Sequence, residues 1–194
     1  MKKGKIIYLR NMVSKSCIKL IDLYFSKIDD IHIIQINLGR VVLDFNSVTI
    51  DPGAIRNHFE SIGFDEVVNE NEILVEKIKA AVIELICFTN NANSLLRNSD
   101  YISEKVQEPY TKISKTFSLE TGTTLERYVI QLKIERAKQL ILENEYSLSE
   151  VAYMLGYSSV QYLSGQFKKI TGHTVSQFIH SKESKRVLLT ELTN

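Results

Sequence analysis

The chain has 194 residues with 44% hydrophobic side chains, 24 Lys or Arg against 23 Asp or Glu, and a net charge of +1. That is enough for one ordinary domain or two small ones with real cores, and it excludes a uniformly basic nucleic-acid-binding surface. Cys17 and Cys87 lie far apart with no CxxC partner, which excludes a disulfide scaffold and fits a reducing compartment.

Taken from the N-terminus, the pattern first reads as strand, helix, strand, strand, helix, strand. The opening Met1-Lys-Lys-Gly-Lys is followed by only four apolar residues before Arg10 and Asn11, so no secretory leader is expected. Lys5 to Arg10 is β-prone, and Ser14 to Ile28 repeats Ile18, Ile21, Leu23 and Phe25 at helical spacing. The period then changes to two: Ile31, Ile33, Gln35 and Val41, Leu43, Phe45 predict two strands joined by a tight turn at Asn37-Leu38-Gly39. Asp51-Pro52 starts a second helix with Ile55, Phe59 and Ile62 as its buried stripe, and Gly63 ends it before a strand from Phe64 to Val68. A βαββαβ order matches a small ferredoxin-like sandwich.

A polar run from Val68 to Glu72 marks a boundary, after which Ile73 to Phe88 predicts one helix. Leu74, Ile78, Ala81, Leu85 and Phe88 alternate spacings of four and three. That stripe suits either packing on its own chain or a short dimer seam. The longest apolar stretch, Ala80 to Phe88, carries Glu84 and is too short to span a bilayer, so a cytoplasmic protein with no membrane partner is expected. Asn90 to Asn98 reads as a loop, and everything beyond it as helical. The expected fold class is therefore α+β, an N-terminal βαββαβ ferredoxin-like domain followed by an all-α double helix-turn-helix domain. Its segments are residues 1–70, a connecting helix and loop at 71–98, the helical domain at 99–182 and a tail at 183–194.

The helical half contains an internal repeat with an offset of 50 residues. Ile113-Ser114-Lys115-Thr116-Phe117 aligns with Leu163-Ser164-Gly165-Gln166-Phe167, Thr121-Gly122-Thr123-Thr124-Leu125 with Thr171-Gly172-His173-Thr174-Val175, and Tyr128-Val129 with Phe178-Ile179. Two copies of one small helical module follow from this, rather than a solenoid. In the second copy Ser147 and Glu150 form a capping box, Val151, Ala152 and Leu155 make a buried face, and Gly156 permits a tight turn. The next helix begins near Ser159; Leu163, Phe167 and Ile170 are expected inside, leaving Val160, Gln161, Ser164 and Lys168 outside, and these four with Ser159 are the candidate DNA-binding residues of the second copy. A Gln amide can bond adenine bidentately, a short apolar group can touch a thymine methyl, Ser can serve either partner and Lys can meet phosphate.

The first copy offers Thr111, Lys112, Ser114, Lys115 and Ser118 around a core of Ile113 and Phe117, with Pro109 at its start. Thr124 to Glu143 predicts a rigid spacer helix that would set two recognition helices about 34 Å, one DNA turn, apart. Charge distribution helps: from Arg97 onward there are 13 basic against 11 acidic residues, and none of the residues between Glu150 and Glu183 is acidic, whereas Lys168, Lys169 and Lys182 lie there.

Three stretches carry a family resemblance: Lys133-Ile-Glu-Arg-Ala-Lys-Gln-Leu, Ser149-Glu-Val-Ala-Tyr-Met-Leu-Gly-Tyr-Ser-Ser and Tyr162-Leu-Ser-Gly-Gln-Phe-Lys-Lys-Ile-Thr-Gly. Over roughly the last 85 residues the chain resembles the AraC-type transcription activators, whose DNA-binding unit is two helix-turn-helix modules joined by a long helix. The resemblance implies double-stranded DNA as partner and a transcription regulator that is not an enzyme. RNA polymerase, and a homodimer through the N-terminal domain or helix 73–88, are the further partners considered. Family members often carry Arg where this chain has Gly165, and Lys115 holds the equivalent place in the first module. The first module is thus expected to contribute more direct readout and the second more positioning.

The N-terminal domain resembles the heavy-metal-associated fold, which places Met-x-Cys-x-x-Cys after the first strand. Here the loop reads Met12-Val13-Ser14-Lys15-Ser16-Cys17, with Ser14 at the first cysteine position, so Met12 and Cys17 are the candidate ligands and no metal or other cofactor is assigned. The alternative function is therefore a soft-metal-binding, copper-chaperone-like protein or a metal-responsive regulator; a third is an adaptor that has lost DNA binding. His32, His58, His173 and His180 show no spacing of a closed metal site, and no phosphate loop, nucleophile elbow or HExxH stretch is present.

Overall fold

The computed structural model describes residues 4–45, 50–88, 98–180 and 189–192. The loop expected from Asn90 lies outside the described residues up to Arg97, as do Lys182 and most of the 183–194 tail. Contacts divide the chain into two units, Met1–Ala80 and Ala81–Asn194.

In the first unit β1 (Lys5–Leu9), α1 (Lys15–Phe25), β2 (Ile31–Asn37), β3 (Arg40–Phe45), α2 (Pro52–Ser61) and β4 (Glu66–Val67) follow in that order. The four strands form one sheet, ordered β2-β3-β1-β4, with antiparallel pairing throughout. Alternation explains the inward face: Ile7, Leu9, Val41 and Leu43 are buried, whereas Ile6 is exposed. Ile21 and Phe25 of α1 meet Ile55 and Phe59 of α2 in the same core, with the Phe25 and Phe59 rings 4.6 Å apart. Burying each such side chain contributes about 1.5–3 kcal/mol.

Several boundaries differ from expectation. The first helix starts at Lys15 and stops at Phe25, and Leu23 is exposed because it projects opposite the Ile21–Phe25 stripe. In β2 the register shifts between Ile33 and Gln35, so the expected alternation breaks: Ile34 is exposed and Gln35 does not share the face of Ile31. The last strand shrinks from Phe64–Val68 to Glu66–Val67, although Phe64 itself is buried. Asp51 caps α2 as expected, its carboxylate accepting a hydrogen bond from Gly53 N at 3.1 Å.

Helix α3 (Glu70–Ile83) runs on into a five-residue π-helical turn, Glu84–Phe88. Its buried set, Leu74, Val75, Ile78, Ala81, Val82, Ile83 and Leu85, is much broader than a two-position seam. The stripe is covered by the chain itself, and the wider turn at its end breaks the heptad phase. Arg10–Glu72 at 2.6 Å and Lys77 over the Tyr8 ring at 5.1 Å hold the start of this helix to β1.

The second unit is helical: α4 (Asn98–Val106), α5 (Tyr110–Thr121), α6 (Leu125–Glu143), α7 (Leu148–Met154), α8 (Val160–Thr171), α9 (Val175–His180), and a short 3-10 turn at Leu189–Glu191. Among the described residues no helix is long and apolar enough to cross a membrane. The mixed α+β composition is as expected, with a small N-terminal sheet and a helical C-terminal region.

Candidate nucleic-acid interface

The sequence repeat reappears as a structural repeat. Helices α5 and α8 each run 12 residues, from Tyr110 to Thr121 and from Val160 to Thr171, at the same offset of 50 that the sequence shows. Each ends on a glycine in the left-handed region, Gly122 (φ 68°) and Gly172 (φ 79°). In each, the last threonine donates its hydroxyl back into the helix, Thr121 Oγ1 to Phe117 O at 2.7 Å and Thr171 Oγ1 to Phe167 O at 2.8 Å. Thr124 and Thr174 then cap the following helices, receiving Arg127 N at 3.2 Å and Gln177 N at 3.1 Å. Phe117 packs on Tyr128 at 5.2 Å and Phe167 on Phe178 at 5.4 Å, so the cores repeat as well as the backbones.

Each of these two helices is held by a partner, α5 by α4 and α8 by α7. Ser147 and Glu150 close the capping box at the start of α7, and the carboxyl of Glu150 is held below its ordinary range by bonds from the Ser147 hydroxyl and backbone. Val151, Ala152 and Leu155 are buried against Leu163, Phe167 and Phe178. Gly156 makes the turn at φ 67°, a backbone position that a residue with a Cβ would occupy only under strain. Between the modules, α6 is an uninterrupted 19-residue helix, about 28 Å long at ~1.5 Å per residue. Leu125, Tyr128 and Leu132 are buried near its start, and Ile134, Ala137 and Leu140 join the second core. Lys138 and Glu135 form a buried ion pair at 2.6 Å within it.

The outward faces follow from the cores. With Ile113 and Phe117 inside, Thr111, Ser114, Lys115 and Ser118 share one side of α5; with Leu163 and Phe167 inside, Gln161, Ser164, Gly165 and Lys168 share the matching side of α8. Thr111, Lys115, Gln161 and Lys168 are exposed, while Ser114, Ser118 and Ser164 are half-buried. Lys112 stands apart, tied to Glu108 at 2.7 Å in an exposed pair worth about 0–1 kcal/mol.

Three residues depart from the sequence expectation. Val160 packs partly against the second core instead of lying outside it, and Ile170, expected inside, is exposed. Both sit at the margins of the Leu163–Phe167 stripe, where neighbouring elements rather than periodicity decide. Ser159 spends its hydroxyl on the cap of α8, accepting Tyr162 N at 3.1 Å. Sequence reasoning also passed over Tyr162, which is exposed on α8 at the place Lys112 holds in α5.

Of the candidate metal ligands, Met12 is buried in the first core, and Cys17 Sγ lies 3.4 Å from the Ser14 hydroxyl and 3.9 Å from Asn11 O. Among the described residues there is no group of three or more His, Cys, Asp or Glu able to hold a metal.

Residues 102–181 match the family described as "Helix-turn-helix domain". Among curated proteins, an HTH-type transcriptional regulator of the cgkA 5' region in Pseudoalteromonas carrageenovora is 30% identical over 99 residues, covering 47% of this chain and 58% of that protein. The HTH-type transcriptional activator RhaR of Enterobacter sp. (strain 638) is 32% identical over 116 residues, covering 58% of this chain and 37% of that protein. The chain therefore spans less than two thirds of the length of these relatives. Among solved structures, a transcriptional regulator of the AraC-type DNA-binding domain-containing proteins from Chromobacterium violaceum aligns with a TM-score of 0.43 at 21% identity, over 51% of this chain and 86% of that one.

Proposed function

We propose that residues 102–181, which match the helix-turn-helix domain family, form a DNA-binding domain of the AraC type, and that the whole chain is a sequence-specific transcription regulator that lays α5 and α8 into successive major-groove segments of double-stranded DNA. The observation that carries this reading is the repeat: two 12-residue helices with the same caps and cores, joined by one 19-residue helix. A fixed spacer between equivalent helices is what reading two groove segments one turn apart requires. Electrostatics agree, since α8 sits in the acid-free stretch between Glu150 and Glu183.

Gln161 and Lys168 are assigned to α8 readout and phosphate contact, and Thr111, Ser114, Lys115 and Ser118 to α5. Lys115 supplies the cation that Gly165 lacks, so α5 carries the larger share of direct contact. The first unit is read as a ferredoxin-like platform for dimerisation or for an effector, supported by its β2-β3-β1-β4 order. A soft-metal role gains no support from a loop with Ser14 at the first ligand position and a buried Met12.

The test pairs Gln161→Ala with Lys168→Ala in binding assays across salt concentrations. Gln161→Ala should lower affinity for the cognate site about 5- to 150-fold while sparing random DNA. Lys168→Ala should weaken both alike and reduce the salt slope by about one. Unchanged binding in both variants, with folded protein, would remove α8 from the interface.

A further inference from the structure

Within the second unit, α6 and the two modules line an open-sided cavity of about 280 Å³. Its apolar wall includes Ile102 of the first module and Val129 and Ile130 of α6, and the second module contributes Tyr157 and Tyr162. One charged group on this wall is unusual. Lys133 is half-buried, and among the described residues it forms no ion pair with a carboxylate; burial pushes its ammonium below the ordinary lysine value. The contrast lies on the same helix, where buried Lys138 is paired with Glu135 at 2.6 Å. What Lys133 has instead is the Tyr157 ring, with Nζ 5.3 Å from its centroid, and the open flank of Gly156, where an added Cβ would lie 3.7 Å from Nζ. A second unmet group sits in the same wall: the Tyr157 hydroxyl is buried without a hydrogen-bond partner. Tyr110 and Glu126 also line the cavity, and they engage each other, the Tyr110 hydroxyl donating to the Glu126 carboxylate at 2.9 Å.

An ammonium kept in a largely apolar recess, with the one lining carboxylate engaged by Tyr110 and not paired with it, destabilises the empty fold and asks for an anion. The space admits a small one: at ~30 Å³ per water-sized unit it holds about nine such units, the bulk of one aromatic ring bearing one acid group. We propose that this cavity binds a small organic monocarboxylate, its carboxylate on Lys133 Nζ and its apolar body against Ile102, Val129 and Ile130. Because both modules supply wall residues, an occupant fixes how α5 and α8 are held relative to each other, and the ligand acts as an effector of DNA binding. That second step rests on the function proposed above; the binding step does not.

The experiment uses the full chain and benzoate as probe, with benzamide as the neutral isostere, followed by titration calorimetry and then by DNA affinity with and without benzoate. Benzoate should bind saturably at one site per chain, benzamide at least tenfold more weakly, and Lys133→Met should lose the difference while remaining folded, since it removes an uncompensated charge and keeps the aliphatic stem. Absence of saturable benzoate binding, or equal binding by wild type and Lys133→Met, overturns the site. If Lys133→Met instead lowers the salt slope of DNA binding by about one without any benzoate effect, Lys133 is a phosphate contact and the site is likewise overturned. With benzoate bound, DNA affinity should change about 5- to 150-fold. Bound benzoate with unchanged DNA affinity overturns the effector role alone, whereas bound benzoate on a protein that never binds DNA overturns the regulator reading and leaves the site standing.

Discussion

Gly165 offers a perturbation whose stability and binding effects can be separated. It lies mid-helix in α8, on the exposed side between Gln161 and Lys168, its φ is not positive, and a Cβ placed there meets nothing within 4 Å. No native contact is lost by filling it. Replacing glycine in an exposed helix interior removes a penalty of about 0.8–1.0 kcal/mol relative to Ala, and Arg is nearly as good a helix former as Ala. Gly165→Ala and Gly165→Arg should therefore both stabilise the protein by about 0.5–1 kcal/mol in urea unfolding. Only Gly165→Arg adds a guanidinium to the proposed DNA face. If it reaches a guanine edge, affinity for sites carrying guanine there should rise by about 1–3 kcal/mol, or 5- to 150-fold; if it meets phosphate, affinity rises on all DNA and the salt slope steepens by about 0.9. Gly165→Ala should leave DNA binding unchanged. Destabilisation by Gly165→Ala would show that the position is not open. A stabilised Gly165→Arg with wild-type affinity and salt slope would show that this side of α8 does not face DNA.

Other consequences are equally direct. Phe117→Ala and Phe167→Ala each remove a fully buried ring from one module, and each should cost about 3–5 kcal/mol in chemical denaturation; a loss below about 1 kcal/mol would mean the module cores are not packed as described. Ser159→Ala deletes the hydroxyl that receives Tyr162 N and should cost about 0.5–2 kcal/mol, with amide exchange accelerated in the first turn of α8 before its end. Glu150 has a folded-state pKa below its ordinary 4.5, so its contribution is present above that value and fades as pH falls through the lowered folded value. The difference in thermal midpoint between wild type and Glu150→Gln should accordingly shrink on acidification, and a pH-independent difference would contradict the capping box as its source.

The helical half was legible because its signals are local and written twice. Pro109 and Ser159 marked the starts of α5 and α8, Thr124 and Glu143 bracketed α6 almost to the residue, and Ser147 with Glu150 announced the capping box. The N-terminal helices and strands were visible in order, but their details were not. A register shift at Ile33/Gln35 and a π turn at Glu84–Phe88 depend on how a segment meets its neighbours, and hydrophobic period carries no mark of either. Val160 and Ile170 went astray for a related reason: both flank the buried stripe, and packing against adjoining elements decides the margins. Lys133 was quoted as part of a sequence motif, yet its half-buried place beside Tyr157 arises from α6 meeting the turn before α8, a long-range contact that spacing cannot show.

The central claim is that two equivalent helices on one polypeptide read two DNA segments together. Selection of bound fragments from the source genome, at low and moderate salt, tests it most directly. The account predicts enrichment of a shared site with two half-elements about one helical turn apart, and loss of binding when half a turn of DNA is inserted between them. Enrichment of a single half-element indifferent to such insertion, or of no sequence at all by the folded protein, would contradict it.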